Sequence, residues 1–199
     1  HTFGSILLEI GKSRTFITNM EYYTEQFFKD YSNRMPLVES REFSDNVKDT
    51  PLSTQFDVFL SYNICDLNVV KGIFYYLSKK GLKVYLDCIV DPNLKRSSTD
   101  KETASRLKAR LMKSKSLLYA QSPNAGHSNW MPWELGIVDG NTGKCYIMPV
   151  TKDATKLTPR REYLLLYPYV KPGTYNEMKI HTQDYFGRTS SYDFVATIR

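Results

Sequence analysis

Short, continuous apolar runs alternate with amphipathic stretches along most of this chain. Phe56-Asp57-Val58-Phe59-Leu60-Ser61-Tyr62 is an apolar run that ends in polar residues, the pattern of a strand buried on both faces, and it predicts the first and central strand of a sheet. Residues 69–80 then place Val70, Ile73, Phe74 and Leu77 on one helical face, and Gly81 stands where a helix C-cap glycine belongs. Residues 83–87 predict a second strand, followed by a long loop over 88–99 that contains Pro92. Residues 102–113 predict a second helix with Ala104, Leu107 and Leu111 facing inward. A third strand over 116–121, a polar loop over 122–129 and a helix over 133–139 come next. Residues 144–150 and 163–167 predict strands four and five, and the tail from Thr174 a last helix around 175–186.

Strands alternating with helices specify a parallel sheet with right-handed crossovers, here of five strands with helices on both faces. Ahead of it, residues 20–31 show helical spacing in Tyr22, Tyr23, Phe27, Phe28 and Tyr31, and Asp49, Thr50, Pro51 and Ser53 punctuate the chain as a linker. The expected organisation is an N-terminal helical extension and linker over 1–54 and one α/β domain with a helical tail over 55–199. The extension packs on the main domain, mediates self-association, or does both.

Length agrees with this division, because 199 residues accommodate one α/β domain of roughly 130–150 residues plus an appendage. The formal charge is +6, but basic and acidic residues are interleaved almost everywhere, which argues against a nucleic-acid stripe. The exception is residues 95–115, with eight Lys or Arg against Asp100 and Glu102. That excess suits phosphates, an acidic neighbour or a solvated helix face. Without interleaved aromatics or a binding motif, nucleic acid is the disfavoured partner. Three scattered cysteines without a Cys-x-x-Cys point to a reducing compartment, and His127 and His181 lie far from any of them in sequence, so no metal site is expected. No apolar stretch approaches membrane-spanning length and the first residues lack a signal pattern, so the expected location is cytoplasmic.

In parallel sheets ligands bind beyond the carboxyl ends of the strands, where the strand order reverses. Ser61, Tyr62 and Asn63 follow the first strand there, residues 87–98 the second, and residues 122–133 the third. Neither Gly-x-Gly-x-x-Gly nor a P-loop occurs, so a nucleotide must be held in another way. Trp130-Met131-Pro132-Trp133-Glu134-Leu135-Gly136 contains both tryptophans of the chain and sets one carboxylate, Glu134, between two indoles and an apolar helix start. Two readings stand side by side: a catalytic carboxylate facing a cleft, or core-anchoring indoles with a first-turn acid favoured by the helix dipole. Ser61 and Asp87 have their own structural readings, as a strand-end hydrogen bond and a loop cap.

Phe-Asp-Val-Phe-Leu-Ser-Tyr at 56–62, Gly-Leu-Lys-Val-Tyr-Leu-Asp at 81–87 and Trp-Met-Pro-Trp-Glu-Leu-Gly at 130–136, in this order, resemble a Toll/interleukin-1 receptor (TIR) domain of bacterial type. The resemblance spans about residues 55–170 and implies a flavodoxin-like fold. It further implies an enzyme of antiphage defence that cleaves NAD as substrate, needs no other cofactor, and makes ADP-ribose or a cyclic or modified ADP-ribose signal. Glu134, four residues after Trp130, matches the family's catalytic glutamate. The loop over 87–98 matches a mobile loop that covers the nucleotide and helps subunits associate, which brings Asp87, Asp91, Leu94 and Arg96 into the expected substrate contacts beside Trp130, Ser61, Tyr62 and Asn63. The expected partners are NAD, further copies of the chain through TIR contacts, and an effector that senses the product.

Elementary chemistry supports one carboxylate for this reaction. The nicotinamide of NAD is already a cationic leaving group, so cleavage needs stabilisation of an oxocarbenium-like ribose rather than a paired general acid. Trp130 stacked on the charged ring adds a cation–π contribution of roughly 0.5–2 kcal/mol. The competing reading is a non-catalytic scaffold that acts through homotypic TIR contacts, since a fold does not require activity.

Overall fold

Strands that are apolar on both faces need cover on both sides, and the helices of this chain supply it. The structure is a computed structural model that describes residues 20–37, 41, 50–91, 94, 100–157, 161–184 and 186–199. Residues 1–19 of the expected extension and Arg96 lie outside the described residues. In chain order the regular elements are β1 (Tyr23–Thr24), α1 (Glu25–Arg34), β2 (Phe56–Ser61), α2 (Leu67–Lys79), β3 (Val84–Tyr85), α3 (Asp87–Val90), α4 (Lys101–Met112) and β4 (Ser114–Gln121). They continue with α5 (Trp130–Thr142), β5 (Cys145–Thr151), β6 (Tyr169–Pro172), β7 (Met178–Gln183), β8 (Thr189–Asp193) and α6 (Phe194–Ile198).

The sheet runs β3-β2-β4-β5-β6-β7-β8, and β1 pairs with the end of β5. From β3 to β6 all pairings are parallel, which gives the expected five-stranded flavodoxin-like sheet, while β7 and β8 extend it antiparallel. The chain passes from β3 over β2 to β4, so the strand order reverses between β2 and β4. On one face Val58, Leu60, Leu118 and Met148 meet Ile73 and Phe74 of α2. On the other Phe59, Leu117 and Ile147 meet Leu107 and Leu111 of α4 and Met131, Leu135 and Val138 of α5.

Part of the expected extension belongs to the first of these cores. Thr24 caps α1, its Oγ1 accepting from the Phe27 N–H at 3.0 Å, and Tyr23, Phe27 and Phe28 pack their rings around Tyr76 of α2 at centroid distances of 5.6–5.9 Å. Burial of each such ring contributes about 1.5–3 kcal/mol. The two helices cross closely because residue 72 is glycine: a Cβ there would lie 2.1 Å from the Phe28 carbonyl oxygen.

Several boundaries differ from the sequence expectation, each for a local reason. The second strand stops at Tyr85, because Asp87 already opens the short helix α3. Residues 163–167 are not a strand: Glu162–Leu166 forms a 3-10 turn in which Leu164 is buried while Leu165 and Leu166 are exposed, and the fifth parallel strand begins at Tyr169 after Pro168. A short apolar run reads the same in either conformation. The helical tail expected around 175–186 is instead the hairpin β7–β8, with Met178 and Ile180 alternating into the core, and only the terminal α6 is helical. Its loop is organised by Asp184, whose carboxylate accepts from the Phe186 and Arg188 N–H groups, and by Gly187 at φ +80°.

Two glycines test this packing. Gly72→Ala forces the helix contact apart and should cost about 1–3 kcal/mol, read as a lower urea midpoint. Gly136→Ala, a helical position with nothing within 4 Å of the added carbon, should leave stability unchanged or raise it by roughly 0.5–1 kcal/mol. Equal losses in both would refute the close crossing.

Candidate active site

Glu134 occupies a core position of α5. Met131, Glu134, Leu135 and Val138 are the buried residues of that helix, so its apolar stripe carries a carboxylate where a leucine would satisfy the packing. The side chain is 0% exposed. Burying a carboxylate costs several kcal/mol before hydrogen bonds offset it. One of those bonds comes from the end of β2, where Ser61 Oγ donates to Glu134 Oε2 at 2.6 Å. Ser61 is itself fully buried and sits opposite Tyr119 of β4 in the ladder, beside the reversal of strand order.

The helix starts at Trp130 rather than Trp133, one turn earlier than the sequence suggests. Glu134 therefore lies beyond the first turn, where the field of a helix terminus has largely decayed, and a dipole-favoured acid no longer accounts for it. Trp130 stands one turn before Glu134, the i, i+4 spacing that puts two side chains on one helix face. Its half-buried ring packs edge-on against the more exposed Trp133, with centroids 5.5 Å apart.

The structure binds other expected site residues to one another. Tyr62 donates its phenol to Asp87 Oδ1 at 2.7 Å, which ties the end of β2 to the start of α3. Asn63 donates through Nδ2 to the Asn124 carbonyl at 2.9 Å, and its Oδ1 caps the following turn by accepting from the Cys65 N–H. Asp91 is committed elsewhere: its carboxylate accepts from Arg110 Nε at 2.9 Å, Tyr85 at 2.9 Å and Arg106 at 3.1 Å. Burial alone would raise the Asp91 carboxyl, but the bonds from Arg110, Tyr85 and Arg106 and the Arg110 charge outweigh it and hold the group below the usual carboxylate range. Leu94 packs against the core beneath α4 and α5.

Further residues of this edge had no motif to announce them. Asp66 precedes α2 as a helix cap would, yet its side chain does not cap; it accepts instead from the Ser122 hydroxyl and from Asn124 Nδ2, at 2.6 Å from the latter. Arg110, almost fully buried, adds donation to the Thr50 and Pro51 carbonyls at 2.7 and 2.8 Å, so the segment before β2 is fastened to the end of α3 through one guanidinium. Tyr119 stands beside Ser61 in the β2–β4 ladder. Burial first, then Tyr163, outweighs the lowering effect of Arg161 and, with the Glu134 charge, holds its phenol well above the ordinary value and neutral. Within residues 95–115, Arg106 and Arg110 are paired with Asp91 and Lys115 with Asp57. Among the described residues no cluster of His, Cys, Asp and Glu is arranged for a metal ion, and no helix is long and apolar enough to cross a membrane.

No protein-family model matches the chain. It is 45% identical over 120 residues to a Bacillus cereus (strain MSX-D12) protein named as a 3' cyclic ADP-D-ribose synthase, ThsB', covering 60% of this chain and 62% of that one. A Cytobacillus dafuensis protein named as a cyclic ADP-D-ribose synthase, TIR2, is 30% identical over 118 residues, 58% of this chain and 29% of that protein. Both names are provisional ones. The chain thus spans less than two thirds of the length of either curated relative.

The Asp91 network predicts an acid-sensitive tie. A carboxyl held low in the folded chain stabilises it above the unfolded pKa of about 3.9 and loses that contribution as pH falls through the folded value. Asp91→Asn, which leaves Arg110 buried without its counter-ion, should lower stability at pH 7 by about 3–5 kcal/mol and flatten the fall in urea midpoint below about pH 4. Equal acid slopes in the two proteins would show that the tie contributes nothing.

Proposed function

We propose that this chain is an NAD-cleaving enzyme that releases nicotinamide and closes the ADP-ribosyl unit into a cyclic ADP-ribose, with Glu134 as its catalytic carboxylate. The observation that carries the reading is the buried Glu134, joined to Ser61 beside the reversal of strand order. The names of the two relatives favour cyclisation over hydrolysis. The role in antiphage defence that the resemblance implies is part of the same proposal.

In this mechanism the bond between nicotinamide and C1 of its ribose breaks, the electron pair leaves with the ring, and nicotinamide departs neutral. Positive charge appears on the ribose as the bond lengthens. Glu134, in surroundings of low polarity, stabilises that charge more than it stabilises the ground state, which is the condition for raising kcat. Ser61 holds one carboxylate oxygen so that the charge is already oriented. An oxygen or nitrogen of the adenosine half then attacks C1 from within the same molecule, and a hydroxyl acceptor loses its proton to a base, a role open to the same carboxylate. Water attacking instead would give linear ADP-ribose. Trp130 supplies an aromatic face for the nicotinamide.

Incubation of the purified protein with NAD, followed by separation of the products, should give nicotinamide and a cyclic ADP-ribose. Glu134→Gln, close in size, should lower kcat by about 10²–10³-fold or more, and Ser61→Ala by about tenfold. Undiminished turnover by Glu134→Gln would remove the proposed catalyst.

A further inference from the structure

The proposed reaction carries an electrostatic problem that the site described so far does not solve. The two phosphates of NAD bring negative charge toward a buried carboxylate, and like charges in a poorly solvated cleft disfavour each other. A cation has to stand near. Arg106 and Arg110 are held by Asp91, and Lys115 by Asp57.

A cavity of about 200 Å³ beyond the end of β4 is lined by Tyr119, Gln121, Ser122, Gly126, Arg161 and Leu164. Its size is below the range of about 300–1,000 Å³ that encloses a whole small molecule. It therefore accommodates one group of a larger ligand. Arg161 enters no ion pair among the described residues; its Nη2 donates to the Gly126 carbonyl at 2.7 Å, which anchors the guanidinium to the loop before α5. That bond uses one of five N–H donors and leaves the fork that pairs with phosphate oxygens. Tyr119, which lines this cavity, stands beside Ser61 in the β2–β4 ladder, and Ser61 donates to Glu134, so one strand pair separates the cavity from the carboxylate.

We propose that Arg161 and the cavity it lines form the anion subsite of the active site, which takes the diphosphate of the dinucleotide. The inference rests on the NAD-cleaving reading and names the residue that offsets the substrate's charge. The sequence offered Arg96 and the basic excess over residues 95–115 for that task, whereas Arg161 follows β5. A substrate held there has to reach past Tyr119 at the end of β4 to meet Glu134.

The test is calorimetric titration of ADP-ribose, which needs no turnover, into the wild-type chain, Arg161→Gln and Arg161→Lys, alongside steady-state kinetics with NAD and with nicotinamide riboside, which lacks the diphosphate. Arg161→Gln should weaken ADP-ribose binding by about tenfold or more, with Arg161→Lys intermediate. KM for NAD should rise by a similar factor with kcat nearly unchanged, and turnover of nicotinamide riboside should not move. Equal affinity of wild type and Arg161→Gln for ADP-ribose overturns the subsite, as does a wild-type chain that binds no ADP-ribose, or an equal loss with nicotinamide riboside. Wild-type binding of ADP-ribose that depends on Arg161, without cleavage of NAD, sinks the NAD-cleaving reading and leaves the subsite standing.

Discussion

A carboxylate in a hydrophobic stripe is the constraint around which this edge of the molecule is arranged. Glu134 takes a position in α5 that packing alone would give to an aliphatic residue, and the desolvation it suffers is offset in part by Ser61 at the end of β2. That bond requires α5 to lie over the strand pair β2–β4 in one register, because Ser61, beside Tyr119 in the ladder, has to meet the carboxylate. A reversal of strand order is the place in a parallel sheet where two loops diverge and leave room for a ligand. The buried acid therefore stands beside the point where the strand order reverses, and no loop has to bring the carboxylate in from outside.

Polar bonds around this point hold the loops in place. Asn63 and Asp66 on one side join Ser122 and Asn124 on the other. Tyr62 joins Asp87, and Asp91 joins Arg110, which in turn holds the carbonyls of Thr50 and Pro51. Many of these groups are buried, so each bond left unmade would expose the full desolvation cost of its partner. The effect is a rim with few alternative arrangements, and preorganisation of this kind lets charge stabilisation act without reorganisation during the reaction. The segment before β2 takes part in it through Arg110, so the residues that enter the domain are mechanically continuous with the edge of the site.

The sequence revealed those features that repeat or that depend on residue type. Continuous apolar runs placed β2, β4 and β5, helical spacing placed α2 and α4, and Gly81 marked a helix end, because burial on two faces and one-sided burial leave different periods. The heptad at 130–136 singled out Glu134, which the structure buries. It failed where one pattern serves two conformations. Leu164, Leu165 and Leu166 read as a strand, and only the exposure of two of them distinguishes a 3-10 turn. The tail around 175–186 read as a helix, although Tyr175 is exposed in the turn before β7 and Phe186 in the turn between β7 and β8. Asp66, Arg110, Tyr119 and Arg161 carried no signal, since their partners are distant in the chain and only the assembled sheet brings them together.

The proposed chemistry divides the work of this site between ground state and transition state. A tryptophan face attracts the nicotinamide while the ring is cationic, and that attraction fades as the bond to ribose breaks and the ring becomes neutral. In that proposal Trp130 contributes chiefly to substrate affinity and, by losing its hold, to release of the ring. In the same proposal Glu134 works in the opposite sense, because the positive charge that leaves the ring passes to the ribose beside it. Its interaction grows along the reaction coordinate, and only an interaction that grows lowers the barrier. The proposed reaction thus passes charge between an indole and a carboxylate one helical turn apart on α5, and on that reading the burial that makes Glu134 costly in the resting chain is the same burial that makes it effective at that moment.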